Sequence, residues 1–335
     1  MSRTAATVLA VLLAAACTGR DDAAPAPYRT VLATVDLDAA VGTDVVVHDL
    51  TPSPVGAPVV LVGAAGAPQS WLVDLDDDGT ATAMPAVEPG SELVISDDGT
   101  PLEVGTALTR VGGDVLPLPL GGPPTAVLLV GDMLYLARDT HLVTVDVGTG
   151  AVRATADAPA PVTHLVRAPD SDLAALADSP GDGVVLLRLS PDLRMVGDPV
   201  VVVPERVSTP TALQVTADGT VVVAAYVGAA QEDGRLVTVV DGRVRAVADL
   251  EGTDDTALDL AVDGRVGYVV LSASYHPAEL TAVDLDTGER TAVVGLCGGA
   301  GAFGAIASSA DGSTLTVIGS CIDADGPTTT AFVVG

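Results

Sequence analysis

The 335-residue chain contains no lysine; its fifteen basic residues are all arginine. Against 44 acidic residues they leave a formal net charge of −29. So acidic a surface repels a phosphate backbone and anionic headgroups, which argues against nucleic acid and against electrostatic adsorption to a membrane. The absence of lysine itself reads as coding bias. Aromatic residues make up only 2% of the chain, too few for a sugar platform built from ring faces. No G-x-S-x-G elbow, Walker A loop, dinucleotide fingerprint or H-E-x-x-H is present. The four histidines, His48, His141, His164 and His276, are scattered, with no pair at metal-ligand spacing. These absences predict no cofactor, no metal and a non-catalytic role. What is abundant is Val, Ala and Leu, in a chain that is 48% hydrophobic with 36 Gly and 23 Pro. That composition suits apolar strands joined by frequent turns.

The N-terminus carries a different signal. Arg3 precedes an apolar stretch, Ala5 to Ala16, too short to span a bilayer as a helix. It ends in Leu13-Ala14-Ala15-Ala16-Cys17, which resembles a bacterial lipobox, with Leu four residues before the cysteine. The resemblance implies lipidation at Cys17 and a place at the outer face of the cytoplasmic membrane or in the cell envelope. An ordinary secretory peptide cut at A-x-A is the alternative, leaving Cys17 incidental. The expected division is a signal peptide at 1–16, a Pro/Ala-rich tether at 17–29 and one domain at 30–335. The lipid would then be the only membrane anchor, on a monomer.

Internal periodicity sets the architecture. "TALQVTADGTVVVAAY" from Thr211 and "TALDLAVDGRVGYVVL" from Thr256 align without a gap. The same frame starts at Ser91, Thr125, Thr163 and Gly304. Seven residues on stands an aspartate each time: Asp98, Asp132, Asp170, Asp218, Asp263 and Asp311. Five residues before it is an aliphatic: Leu93, Val127, Leu165, Leu213, Leu258 and Ile306. Each unit reads as strand, Asp-Gly-type turn, strand. Second hairpins follow, such as "LVTVDVGTGAVRATA", "VVLLRLSPDLRMVG" and "LTAVDLDTGERTAVV". Four strands per repeat resemble a β-propeller blade, and the turn style resembles YVTN/WD40-like bacterial propellers, although no G-H…W-D signature occurs. An irregular first blade, "DVVVHDLTPSP", brings the number to seven. The chain ends on a third strand, "TTTAFVVG", so "YRTVLATVDL" near the N-terminus is expected to supply the fourth and close the ring. The fold class is therefore all-β, one seven-bladed propeller.

Within that frame "LVDLDDDGT" has the D-x-D-x-D-G pattern of a calcium loop in Asp74, Asp76, Asp78 and Gly79. The acidic ligand due at position twelve is replaced by Pro85. A turn between third and fourth strands is the preferred reading, with weak calcium binding the alternative.

Candidate sites fall in three groups. Glu92, His164, Gln214 and Asp259 interrupt otherwise apolar inner strands and are expected to line the central channel with partners or water. Cys297 and Cys321 are expected to form a disulfide. The loops between second and third strands are longest in blades 5, 6, 7 and 1, a contiguous arc. Tyr226, Gln231, Glu232, Tyr275, His276, Asp323 and Asp325 on that arc are the expected contacts with an unknown protein or small ligand. The near-ring of hydroxyls Ser91, Thr125, Thr163, Thr211 and Thr256 is expected to cap strand ends or bond between blades. The functional expectation is an envelope-anchored binding or assembly scaffold. The alternative, from resemblance to lactonase-like propellers, is hydrolysis with a metal on the channel axis, drawing on Glu92, His164 and Asp259.

Overall fold

The computed structural model describes residues 28–76, 79–86, 92–110, 113–205, 208–228, 233–250, 256–272, 277–323 and 326–335. Within them the strands form seven four-stranded antiparallel sheets, each built from strands consecutive in the chain except the last. Blades 1 to 6 begin with the inner strands Val45–Thr51, Glu92–Ile95, Ala126–Val130, Val162–Arg167, Ser208–Val215 and Thr256–Asp263. Blade 7 consists of Gly301–Ser308, Leu315–Asp323 and Gly326–Val334, completed by Val31–Asp36 from the N-terminal end. That outer strand runs antiparallel to Gly326–Val334, pairing Thr34 with Phe332 and Asp36 with Thr330. The first and last of the described strands are thus joined in one sheet, and each of the seven described sheets has four strands.

The repeat aspartates shape the turns. Asp98 Oδ1 accepts from Ser96 Oγ at 2.6 Å and Thr100 N at 3.0 Å; Asp218 and Asp311 make the corresponding bonds. These bonds favour the carboxylate and hold the Asp98 pKa at about 2. The next residue, Gly99, Gly219 or Gly312, sits at positive φ, which only glycine adopts cheaply. In "LVDLDDDGT" the strand ends at Leu75, Gly79 N donates to Asp76 O, and Ala81 pairs with Leu75. The described part of that segment is a third-to-fourth-strand turn; Asp78 lies outside the described residues.

Four expectations need correction. The packed body begins before residue 30: Tyr28 is buried, its ring 4.9 Å from Tyr268, and its hydroxyl donates to Gly312 O. A short helix, Leu37–Val41, links the closing strand to blade 1, capped by Asp36 accepting from Ala39 N and ended by Gly42 at positive φ. In blade 4 the fourth strand is not "LRMVG" but Val200–Val203. Only an isolated bridge joins Leu189 to Met195, and Asp198-Pro199 delays the strand because proline lacks the N–H the ladder needs. In blade 7 "GSCIDADGPTT" is not an extended loop. Its strands continue until Asp323 faces Gly326, and Cys321 lies inside the second strand, opposite Gly301 and Thr328.

The core lies in the seams between blades. Val222, Ala224, Leu236, Leu260, Val269 and Val283, from blades 5 and 6, form one such cluster. At the 6/7 seam Tyr28, Tyr268, Phe303 and Phe332 pack together, with Phe303 and Phe332 centroids 5.8 Å apart. Cys297 and Cys321 are joined there by a disulfide, Cα atoms 5.7 Å apart.

Candidate functional site: the axial channel

The seven inner strands surround a channel of about 780 Å³. Inner strands of five blades carry a bulge, at or beside His48, Thr163, Thr211, Leu258 and Gly304. A bulge bends the strand and re-aims the side chain that follows. Asp49, His164 and Asp259 stand at or next to these bulges, and together with Glu92, from a strand without one, and Gln214 they line the channel.

Asp49 was not among the sequence candidates, yet blade 1 obeys the frame. His48 stands where Ser91 and Thr163 begin their copies, Leu50 takes the aliphatic position, and Gly56 is the turn glycine. Leu50 pairs with Val60 as Leu93 pairs with Glu103 and Leu165 with Ala175. Val55 replaces the repeat aspartate, which hides this copy from a search anchored on Asp. Asp49 therefore shares its position with Glu92 and His164. Asp259 reaches the equivalent place by another route. Blade 6 closes its first hairpin tightly, Asp263 pairing with Val266, whereas blade 5 spans Val215 to Val221. The two copies that align without a gap in sequence thus differ in register. Leu260 becomes the core residue in place of the expected Leu258, and Asp259 turns to the next blade.

The polar side chains mostly join neighbouring blades. Asp49 Oδ2 accepts from Leu93 N at 2.8 Å, blade 1 to blade 2. Asp259 Oδ2 accepts from Ile306 N at 2.8 Å, blade 6 to blade 7, while its Oδ1 accepts from Leu260 N. His164 Nε2 donates to Thr211 O at 2.9 Å, blade 4 to blade 5, which leaves Nδ1 to accept from Thr163 Oγ1 at 3.0 Å. Burial pushes the imidazole pKa down, so the ring is neutral. Thr125 Oγ1 donates to Val162 O and Thr51 Oγ1 to Leu93 O, both across seams. Of the proposed ring of hydroxyls, Ser91 lies outside the described residues.

The side chains of Glu92 and Gln214 have no hydrogen bond among the described residues and line the channel. Glu92 is open to channel water but walled in by surrounding blades. Desolvation, with the negative Asp49 nearby, raises its pKa to about 7. Asp259 is also raised to about 7 by burial, against the pull of its two backbone N–H donors. Asp49 is raised for the same reason. The described channel is thus a place where carboxyl groups take up protons near neutrality. Among the described residues no three His, Cys, Asp or Glu side chains are grouped to hold a metal ion.

Of the expected arc, Tyr226 is half-buried near the end of Val221–Val227, paired with Thr209 and Gly234. Gln231, Glu232, Tyr275, His276 and Asp325 lie outside the described residues; Asp323 is placed only as the strand end facing Gly326. Cys17 also lies outside them.

No known protein family and no curated protein matches the chain by sequence. Solved structures match by shape. Hydrazine synthase from Kuenenia stuttgartiensis superposes with a TM-score of 0.63 at 16% identity, covering 81% of this chain and 92% of that one. The Pan2 WD40 domain from Neurospora crassa gives 0.64 at 11%, covering 91% and 97%. A chain of the mitotic checkpoint complex gives 0.62 at 12%, covering 100% and 99%. At such identities the likeness concerns fold alone. The chain is a seven-bladed β-propeller with WD40-like structural neighbours.

Proposed function

We propose that this protein is a non-catalytic scaffold of the cell envelope, lipidated at Cys17, that binds a partner through the loops of one propeller face. The observation that carries the non-catalytic part is the use of the channel's polar atoms. Asp49, Asp259 and His164, the groups best suited to ligate or transfer protons, are engaged in bonds that hold one blade to the next. A scaffold needs that rigidity, whereas an axial metal would need the same atoms free. Supporting the binding part, the second strands of blades 5, 6 and 7 all end on the face opposite the Asp-Gly turns, and Tyr226 and Asp323 stand at or near two of those ends.

The second reading, hydrolysis in the channel, draws on Glu92, an unpaired carboxyl whose pKa of about 7 suits a general acid–base. Crosslinking in the native envelope followed by capture separates the two. The scaffold reading expects a discrete partner whose yield falls in Tyr226→Ala and holds in Glu92→Gln. Capture insensitive to Tyr226→Ala, together with a lactone-cleaving activity lost in Glu92→Gln, would replace it. For the anchor, Cys17→Ser is expected to release the protein from the membrane fraction. Unchanged retention with unchanged mass would refute lipidation.

A further inference from the structure

The seam between blades 4 and 5 is built unlike the 7/1, 2/3 and 5/6 seams. At the third-to-fourth-strand turn, a blade normally meets the outer strand of the blade before it. A Cβ added to Gly79 of blade 1 would stand 2.8 Å from Ala33 of blade 7. One added to Gly150 of blade 3 would stand 2.7 Å from Leu116 of blade 2, and one on Gly288 of blade 6 would lie 3.0 Å from Val247 O of blade 5. In blade 4 the turn position is Leu193, at positive φ, whose buried side chain packs into the cluster shared with blade 3. Gly242 of blade 5 has no such contact; its nearest neighbour across the seam is Val200 Cγ2 at 4.0 Å. The outer strand starts late, at Val200, and the residues before it, Val196 to Pro199, line the gap rather than close it.

What remains is a groove of about 780 Å³, floored by aliphatic residues such as Val200, Val215, Val221 and Val239. Its rim is acidic: Asp170, Asp198, Asp218 and Asp241. Its one cation, Arg188, is already engaged by Asp170 and by Asp172 at 2.8 Å. Asp198 and Asp241 have no hydrogen bond or ion pair among the described residues and are exposed. A second copy of the chain, at −29 with no lysine, is a poor occupant of such a rim.

We propose that this groove is a second docking site, on the turn face, for an extended partner segment that alternates aliphatic and basic side chains. The aliphatic residues would take the apolar floor and the guanidinium or ammonium groups the rim. This does not depend on the loop arc of the opposite face.

The test uses the full chain and a short fluorescein-labelled peptide of alternating arginine and valine, read by fluorescence polarisation. The expected result is saturable one-to-one binding that weakens as salt rises. Ala217→Trp, at an exposed groove position, is expected to weaken it at least about tenfold by filling the space. Asp198→Asn with Asp241→Asn is expected to weaken it about five- to tenfold and to flatten the salt dependence. Tyr226→Ala should leave this binding unchanged. Equal affinity for an arginine–serine peptide would mean adsorption to acidic surface and would overturn the proposal. So would absent binding, or binding undiminished in the double asparagine variant, which decides the matter if Ala217→Trp unfolds. A dimer in solution that Ala217→Trp or the double asparagine variant dissociates would assign the groove to a second copy instead, and would also overturn it.

Discussion

The seam between blades 6 and 7, beside the strand that closes the ring, and the seam between blades 4 and 5 solve the same packing problem with opposite materials. Where blade 7 receives its outer strand, Tyr28, Tyr268, Phe303 and Phe332 interlock beside a disulfide. Two of those four are the only phenylalanines in the chain. Between blades 4 and 5 the buried cluster is wholly aliphatic, and its turn-face end is an open groove. The chain runs continuously across the 6/7 seam too, from Gly295 to Gly301, and from blade 7 to blade 1, from Asp36 to Val45; its one discontinuity among the described strands lies inside blade 7, between Gly326–Val334 and Val31–Asp36. There the closing strand is held by its ladder to Gly326–Val334 and by packing such as that of Tyr28, while the disulfide ties the 6/7 connection to the second strand of blade 7. Large rings bury more surface per ordered residue than valine does, so their concentration there fits the demand.

The comparison can be broken most forcefully at the 6/7 seam. Phe303→Ala is expected to cost about 3–5 kcal/mol in denaturant unfolding, because Phe303 is fully buried and its removal leaves a cavity. A cost below that of Leu176→Ala, in the 4/5 cluster, would show that the aromatic seam is not the stronger one. Reducing the Cys297–Cys321 bridge, which closes a sequence separation of 24, is expected to cost about 3.5 kcal/mol in the chain-entropy model. An unchanged midpoint under reductant would assign ring stability to the aromatic packing alone.

The channel sharpens the comparison through pH. Glu92 has a folded pKa of about 7, above the roughly 4.3 of an unfolded glutamate. The folded state therefore holds the proton more tightly, and its contribution to stability is greatest below that lower value. It is lost as pH rises through about 7. Glu92→Gln is expected to flatten that part of the stability curve and to raise stability at pH 8 by about 1 kcal/mol, allowing for screening by channel water. A stability curve with unchanged slope between pH 5 and 7 would contradict it. The smallest expected effect belongs to one inter-blade bond: Thr125→Val should cost about 0.5–1.5 kcal/mol, measured by thermal melting.

Much of the fold was legible because a hairpin is a local object. Alternating Val, Ala and Leu with an Asp-Gly turn specify strand and turn within a dozen or so residues, and the unpaired last strand called for a partner from "YRTVLATVDL". The helix Leu37–Val41 was written in its cap and terminal glycine but was masked by the expectation of strands alone. The channel candidates Glu92, His164, Gln214 and Asp259 stood out as polar breaks in apolar strands. Asp49 did not, because Val55 had erased the landmark that defines its repeat.

What the sequence alone determined is the repeat, the turn chemistry and the strand that closes the ring, since each depends on neighbours along the chain or on a missing partner that can be counted. Tertiary structure decided the register of blade 6, which brings Asp259 to the backbone N–H of Ile306, and the contrast between Gly242 and the glycines of the closed seams. Both depend on volumes contributed by two different repeats across a seam. No single repeat encodes the space its neighbour leaves.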